Sequence, residues 1–593
     1  MPASSPPPDL RLLAPFGRSA VEAQIPGDRS RRHARWVATG ICGLLVAIFL
    51  AQGARTASLP AVHIVSWNVI IDDGFYYLQV ARNIARGHGS TFDRVNRTNG
   101  YQPLWALMLV PIFWFTDDAA VGIRAALVLA TLLGGLGMVL LYVAMQRLVG
   151  LGAALLLVGL IAFNPYFVQI LLGGLETPVL FACMSALAAV WACAAPAIRA
   201  GSLRPCLLLG GLLGLTVLAR VDVALILAPL CVALVAVGPG GLRGRLRRVL
   251  WIALPGVAVV LPFVLWSWAT QGTALPVSGL VKRWVAATYT PTQPLFEVTE
   301  QWRGLARTLH LLFWPRTPPE RETFDEIPVL LRLPQYLTLL AAARLIWSGR
   351  ARRNTAALLL LATAVVGVVG HGLYMFYVYR SCGHWNYHYF FPFALLYSVL
   401  LVTVPALLLA DVGLLLDRLV RGRLRLGFAA LGAALCLPPL AYLARHGQLA
   451  AAGRGRELRQ SPDLSFRRSR FDAALYLRRH YRRDEVFGSW WAGTVGYLSN
   501  RRVVNLDGVV NSSEFFHRYL RTDSVDRYIL QGPIAHLVDF FWRDPLSEPP
   551  AWRAFWWEHD KEHIVSRLGP RLRQVKLIPF RGDQGMYVYD VLK

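Results

Sequence analysis

The chain has 593 residues, of which 55% are hydrophobic and only 16% charged, and its mean hydropathy is +0.43. That balance excludes an ordinary soluble protein and points to a polytopic α-helical membrane protein. The net charge of +26 does not imply a nucleic-acid partner, because the arginines cluster in short segments between apolar runs, as in cytoplasmic loops.

In chain order, residues 1–34 are rich in Pro, Ser and Arg and read as a disordered cytoplasmic tail. No small-residue cleavage site follows an early apolar core, so the first span reads as an uncleaved anchor. Apolar runs at 35–53, 119–147, 151–170, 175–195, 205–219, 222–238, 249–270, 330–347, 355–378, 388–416 and 425–445 suggest about eleven spans. The seven cysteines lie mostly inside such runs without a CxxC pair. They read as small core residues, neither a disulfide framework nor a zinc site. The basic strings Arg29–Arg35, Arg243–Arg248, Arg350–Arg353 and Arg418–Arg425 all fall inside only if "PLWALMLVPIFWF" (Pro103–Phe115) does not cross. On that reading the loop 54–118, the segment around Glu176, the Arg220–Asp222 connection and everything after about Arg445 share the outer side.

The predicted transmembrane domain is thus 35–445, with an external catalytic loop at 54–118. Residues 446–593 change character. Short β-like strings, "EVFGSWW", "RRVVNLDG", "IAHLVDFF", "RQVKLIPF" and "MYVYDVL", alternate with helical stretches such as "FDAALYLRRHY". This predicts an extracytoplasmic α/β domain attached to an all-α membrane bundle.

The polar residues with chemical potential begin at "NVIIDDGFYYLQVARNIARGHGSTF" (Asn68–Phe92). Tyr77, Val80, Ala81 and Ile84 recur at helical spacing, with Gln79, Arg82, Asn83 and Arg86 on the other side. That predicts a short amphipathic helix lying on the membrane surface. Asp72 and Asp73 precede its first turn. Asp73 reads either as an N-cap or as a catalytic carboxylate that takes a proton from a hydroxyl; capping explains one aspartate but not the pair. Asp117–Asp118 reads as a cap for the helix that follows. Glu176 in "GGLETP" is either an ordinary helix-start acid or one facing the site. Arg220 and Asp222 form either an internal ion pair or, through Arg220, a phosphate contact. Ser278, Lys282 and Arg283 stand just past a span, where a lysine serves as an interfacial anchor or neutralises a leaving phosphate. His384 and His388 are four apart in an aromatic string with Trp385, without the glutamate of a zinc motif. They read as part of an interfacial belt or a sugar-stacking surface. Trp490, Trp491, Asn505, Asp507 and Asn511 bind a glycan or serve packing and turns, and no GxGxxG nucleotide cradle accompanies them.

"DDGFYYLQVARNIARGHGSTFD…TNGYQPLW" (Asp72–Trp105) resembles the first external loop of bacterial GT-C glycosyltransferases, most like the mycobacterial cell-wall arabinofuranosyltransferase type. "GGLETP", "LARVD" (with Val221 where proline is usual), "PVSGLVKR" and "AGTVGYLSNRRVVNLDGVVN" are similar to later segments of such proteins. The resemblance implies a GT-C membrane fold and a polyprenyl-phosphate sugar donor. It also implies inversion at the anomeric carbon, with Asp72 or Asp73 as base. His88, Arg82, Arg220 and Lys282 are then candidates for the donor phosphate. Tyr76, Tyr101, Glu176, Ser278, His384, Trp385 and His388 are candidates for substrate contact. The acceptor would be a glycan, lipid or protein hydroxyl. No cofactor is obligatory on this reading, and a divalent metal held by the aspartate pair is the alternative. The protein would sit in the inner or plasma membrane, N-terminus cytoplasmic. Its rivals are a lipid-linked sugar transporter or flippase, which wants charges along a path through the bundle, and a non-catalytic envelope-assembly protein.

Overall fold

The computed structural model describes residues 28–225, 241–289, 462–542, 545–546, 556–581, 584–593 and a few single positions between 370 and 403. The predicted spans at 330–347, 355–378 and 425–445, nearly all of those at 222–238 and 388–416, and the tail up to residue 27 lie outside them.

The membrane part opens with α1 (Asp28–Ala57) and a short α2 (Ala61–Ser66). The quoted segment forms α3 (Asp72–Ala85), followed by α4 (Pro103–Leu109) and α5 (Ile112–Phe115). Then come α6 (Ala119–Leu148), α7 (Leu151–Phe163), α8 (Pro165–Leu171), α9 (Thr177–Ala200) and α10 (Leu203–Ala219). The described part of this half closes with α11 (Leu242–Gln271) and α12 (Val277–Tyr289). Among the described residues four helices are long and apolar enough to cross a membrane: Arg32–Ala57, Ala119–Leu148, Thr177–Ala200 and Leu242–Gln271. The chain is a multi-pass membrane protein.

Lipid offers little hydrophobic drive for helix pairing, so small residues decide which helices touch. In α10, a methyl group on Gly210 would lie 2.1 Å from the Ile252 carbonyl oxygen, and one on Gly214 2.7 Å from that of Gly256. The four-residue glycine spacing therefore lets α10 and α11 meet backbone to backbone. The stretch Pro103–Phe115 breaks around Pro111 into α4 and α5, and its 13 residues rise only about 20 Å, short of a hydrocarbon core. Both helices pack against α3; Trp105 Nε1 donates to the Gly174 carbonyl at 3.0 Å.

The C-terminal part begins with α13 (Pro462–His480). Strands β1 (Val486–Ser489), β2 (Arg502–Asn505), β3 (His536–Phe541), β4 (Leu572–Arg581) and β5 (Gln584–Val591) form one sheet of order β2-β1-β3-β5-β4. β1 runs parallel to β2 and β3, whereas β5 runs antiparallel to β3 and β4. Helices α14 (Ala492–Ser499), α15 (Val525–Gln531) and α16 (Trp556–Leu568) complete an α/β domain. α14 is the crossover between β1 and β2. All five β-like strings of the sequence are strands here.

One expectation is corrected. Most of the polar face of α3 does not look into water or headgroups, because α14 packs against it; Arg86, beyond the helix end, stays exposed. Residues Gly74–Asn83 are buried throughout. Arg82 donates to the Tyr497 carbonyl at 3.1 Å, with its guanidinium 4.0 Å from the Tyr497 ring centre. α3 is the layer between the membrane helices and the C-terminal domain.

Candidate active site

The two adjacent aspartates at the start of α3 have different neighbours. Asp72 Oδ2 accepts from the Gly493 amide at 3.0 Å, and Oδ1 from the Thr494 amide and hydroxyl at 2.9 and 2.7 Å. Trp491, at the N-cap position of α14, provides no side-chain cap, so Asp72 caps that helix from 421 residues away. A carboxylate there satisfies orphan amides and complements the helix dipole. Any Cβ at position 493 would fall 2.2 Å from the Asp72 carbonyl oxygen, so the contact requires glycine. Arg470 Nη1 lies 3.8 Å from Asp72 Oδ1, and its guanidinium covers the Trp491 ring at 3.8 Å. Burial pushes Arg470 down to about 10, while the charges of Asp72 and Asp539 hold it up.

Asp73 makes no hydrogen bond among the described residues. Its Oδ2 faces Lys282 Nζ at 3.9 Å, and its side chain is 35% exposed against 11% for Asp72. Burial raises its carboxyl above the usual range, Lys282 opposes the shift and Asp72 adds to it. Such a group is a stronger base than an ordinary carboxylate and remains reachable. Ser278 lies one helical turn before Lys282 on α12 and shares its face.

Beside this point a buried polar group ties α3 to the bundle. The Tyr77 hydroxyl donates to Glu176 Oε2 at 2.9 Å and accepts from the Gln102 amide at 3.2 Å. Arg220 Nη1 lies 3.6 Å from Glu176, and Arg220 donates twice to Asp222, at 2.8 and 3.0 Å. Of the two readings of Arg220, the geometry presents the internal ion pair, which compensates its own desolvation. Asp118 caps α6 by accepting from Ala120 and Val121 amides at 2.8 and 2.9 Å, as its spacing suggested.

The remaining candidates are dispersed. Tyr76 is buried, with its hydroxyl 3.3 Å from Asn505 Nδ2. The Tyr101 hydroxyl sits 2.6 Å from Ser90 Oγ and is pushed up to about 12 by burial. Arg82 belongs to the α3–α14 packing, about 14 Å along the helix from Asp73. His88 is exposed in the turn beyond the far end of α3, at the opposite end of the helix from Asp73. His384, Trp385 and His388 lie outside the described residues. Among those that are described, no group of three or more His, Cys, Asp or Glu side chains could hold a metal ion. Both Asp72 oxygens are taken by N–H and O–H donors and Asp73 faces an ammonium, so the pair does not fit a shared cation.

No protein-family model and no curated protein sequence matches the chain. Solved structures do. ArnT from Cupriavidus metallidurans bound to undecaprenyl phosphate aligns over 93% of this chain and 98% of its own, at 15% identity and a TM-score of 0.51. The oligosaccharyltransferase of Archaeoglobus fulgidus in its apo form aligns over 83% and 69%, at 12% identity and a TM-score of 0.48. At such identity the likeness to ArnT is one of fold, and it places the chain in the GT-C membrane fold with a C-terminal sheet domain.

Proposed function

We propose that the chain is a membrane glycosyltransferase that moves a sugar from a polyprenyl phosphate to a hydroxyl on a glycan, lipid or protein at the extracytoplasmic face. The single observation that carries this is the split of the aspartate pair: Asp72 is consumed by α14, while Asp73 stands accessible and basic beside a lysine. Asp73 is the base on this reading. It takes the proton of the acceptor hydroxyl as the acceptor oxygen bonds to the anomeric carbon. The bond from that carbon to the phosphate oxygen breaks with its electron pair, and the configuration inverts. Lys282 keeps Asp73 ionised and is the described cation best placed to meet the charge growing on the leaving polyprenyl phosphate. Ser278 follows on the same face of α12 as a contact for the sugar or the phosphate.

The undecaprenyl phosphate bound to the ArnT neighbour supports a lipid-borne donor. The resemblance of Asp72–Trp105 to arabinofuranosyltransferases makes a pentofuranose the first sugar to try, ahead of hexoses. The basic strings support a cytoplasmic N-terminus and an outward α3. Radiolabelled polyprenyl-phosphate sugars, offered one at a time to the purified chain in lipid, test the proposal. Transfer by the wild type that disappears in Asp73→Asn is expected. No transfer from any donor overturns it.

A further inference from the structure

The turn that follows β2 is wedged between two elements of the membrane half. A methyl group on Gly508 would lie 3.3 Å from Val281 Cγ2 on α12, one residue before Lys282. A methyl on Gly100 would lie 2.0 Å from the Val509 carbonyl oxygen. Asn505, at the end of β2, bonds the hydroxyl of Tyr76, which follows Asp73 by three residues and so shares its side of α3. Asp507 is therefore fixed between α3 and α12, where Asp73 meets Lys282.

Its carboxylate is more than the turn needs. Asp507 Oδ1 accepts from the Val509 amide at 2.9 Å, an ordinary turn bond that an asparagine would make equally well without charge. Burial, then the charges of Asp73 and Asp72, push this carboxyl up to about 7, against the pull of bonds from Val509 and Asn505. Among the described residues no cation pairs with it. On the Tyr76 hydroxyl its charge outweighs those of Asp72 and Asp73. A half-buried carboxyl kept beside two others without a cation partner among the described residues, at a cost to folding, marks a position where function competes with stability. Its place agrees, since the carboxyl ends of parallel strands are where open α/β sheets present ligand-binding groups.

We propose that Asp507 is a further binding residue of this site, the carboxylate with which the C-terminal domain grips one hydroxyl of a polyhydroxylated acceptor while a neighbouring hydroxyl faces Asp73. The inference rests on the transferase reading above. A carboxylate repels the donor's phosphate, which Lys282 suits, and it accepts hydrogen bonds from sugar hydroxyls. No bond is made or broken at Asp507, and the proton released in transfer still goes to Asp73.

The test compares wild type and Asp507→Asn in lipid, with undecaprenyl-phosphate sugars as donors and octyl glycosides as acceptors. Asp507→Asn should raise the acceptor KM at least about tenfold, one hydrogen bond to a charged group. The donor KM should stay within about twofold and Tm should be unchanged or higher. An acceptor KM equal to that of the wild type, an equal rise in donor KM, or a lower Tm overturns the inference while leaving transfer by the wild type intact. Absence of transfer by the wild type from every donor overturns the transferase reading, and this inference with it.

Discussion

The two ends of α3 are built on opposite principles. At its C-terminal end the cations are met by protein groups: Arg82 lies on Tyr497 and donates to its carbonyl through Nη1, its Nε and Nη2 making no hydrogen bond among the described residues, and Arg86 holds Asp117 at 2.7 Å. At its N-terminal end Asp72 is met by α14 and by Arg470 at 3.8 Å, whereas Asp73 has only Lys282, at 3.9 Å, and Asp507 stands nearby with no cation among the described residues. The matched end builds the junction with α14. The mismatched end is where a substrate would settle the charges, and unsettled charge in a sheltered place is what catalytic groups require.

That contrast is sharpest at Asp73. Asp73→Asn should lower transfer about 10³-fold, the scale of a lost general base, while the protein inserts and melts as the wild type does. A mutant rate within threefold of the wild type would erase the distinction between the two ends. Lys282→Met should cost about 10²-fold through the leaving phosphate. Product-release and single-turnover rates would place that loss in the chemical step.

Asp72→Asn should be milder, about tenfold, because it weakens charge-assisted bonds to α14 rather than removing a reacting group. Its signature is faster hydrogen exchange at the Gly493 and Thr494 amides together with a lower Tm. A loss as deep as that of Asp73→Asn with unchanged exchange would make Asp72 the base instead. The pH dependence of stability gives a smaller, signed effect. Folded Asp507 holds its proton to about 7, well above an unfolded carboxylate, so its stabilising contribution is complete in acid and is lost as pH rises through about 7. The Tm advantage of Asp507→Asn should therefore widen from about pH 5 to about pH 8. The groups facing Asp507 from α3 are Asp72, Asp73 and Tyr76, and Lys282 on α12 lies 3.9 Å from Asp73. Smallest of all, Arg86→Gln breaks an exposed pair worth under about 1 kcal/mol and should leave transfer and Tm near wild type.

Much of the scaffold was legible in the sequence. Apolar runs marked α1, α6, α9 and α11, and alternation marked every strand of the sheet, because both patterns follow from what each element buries. The cap at Asp118 followed from its place before an apolar run. What the pattern could not carry was contact across hundreds of residues. The polar side of α3 looked like a membrane-surface face because its partner, α14, is short and comes far later in the chain. The same distance hid the division of labour between Asp72 and Asp73, since only the amides of Gly493 and Thr494 separate them. Asp507 was noticed as a turn or glycan residue, and its placement beside α12 depends on packing that no local spacing encodes.

Gly493 meets Asp72 across a sequence separation of 421 residues, which ties assembly of this contact to the order of synthesis. While the ribosome is still making the membrane helices, α3 has been delivered but the surface that completes it has not been translated. The sheet that carries α14 gains β5 only at Gln584–Val591, so a nascent or truncated chain holds Asp73 without its surroundings; on the transferase reading proposed above, such a chain is inactive until the C-terminal domain has folded onto α3.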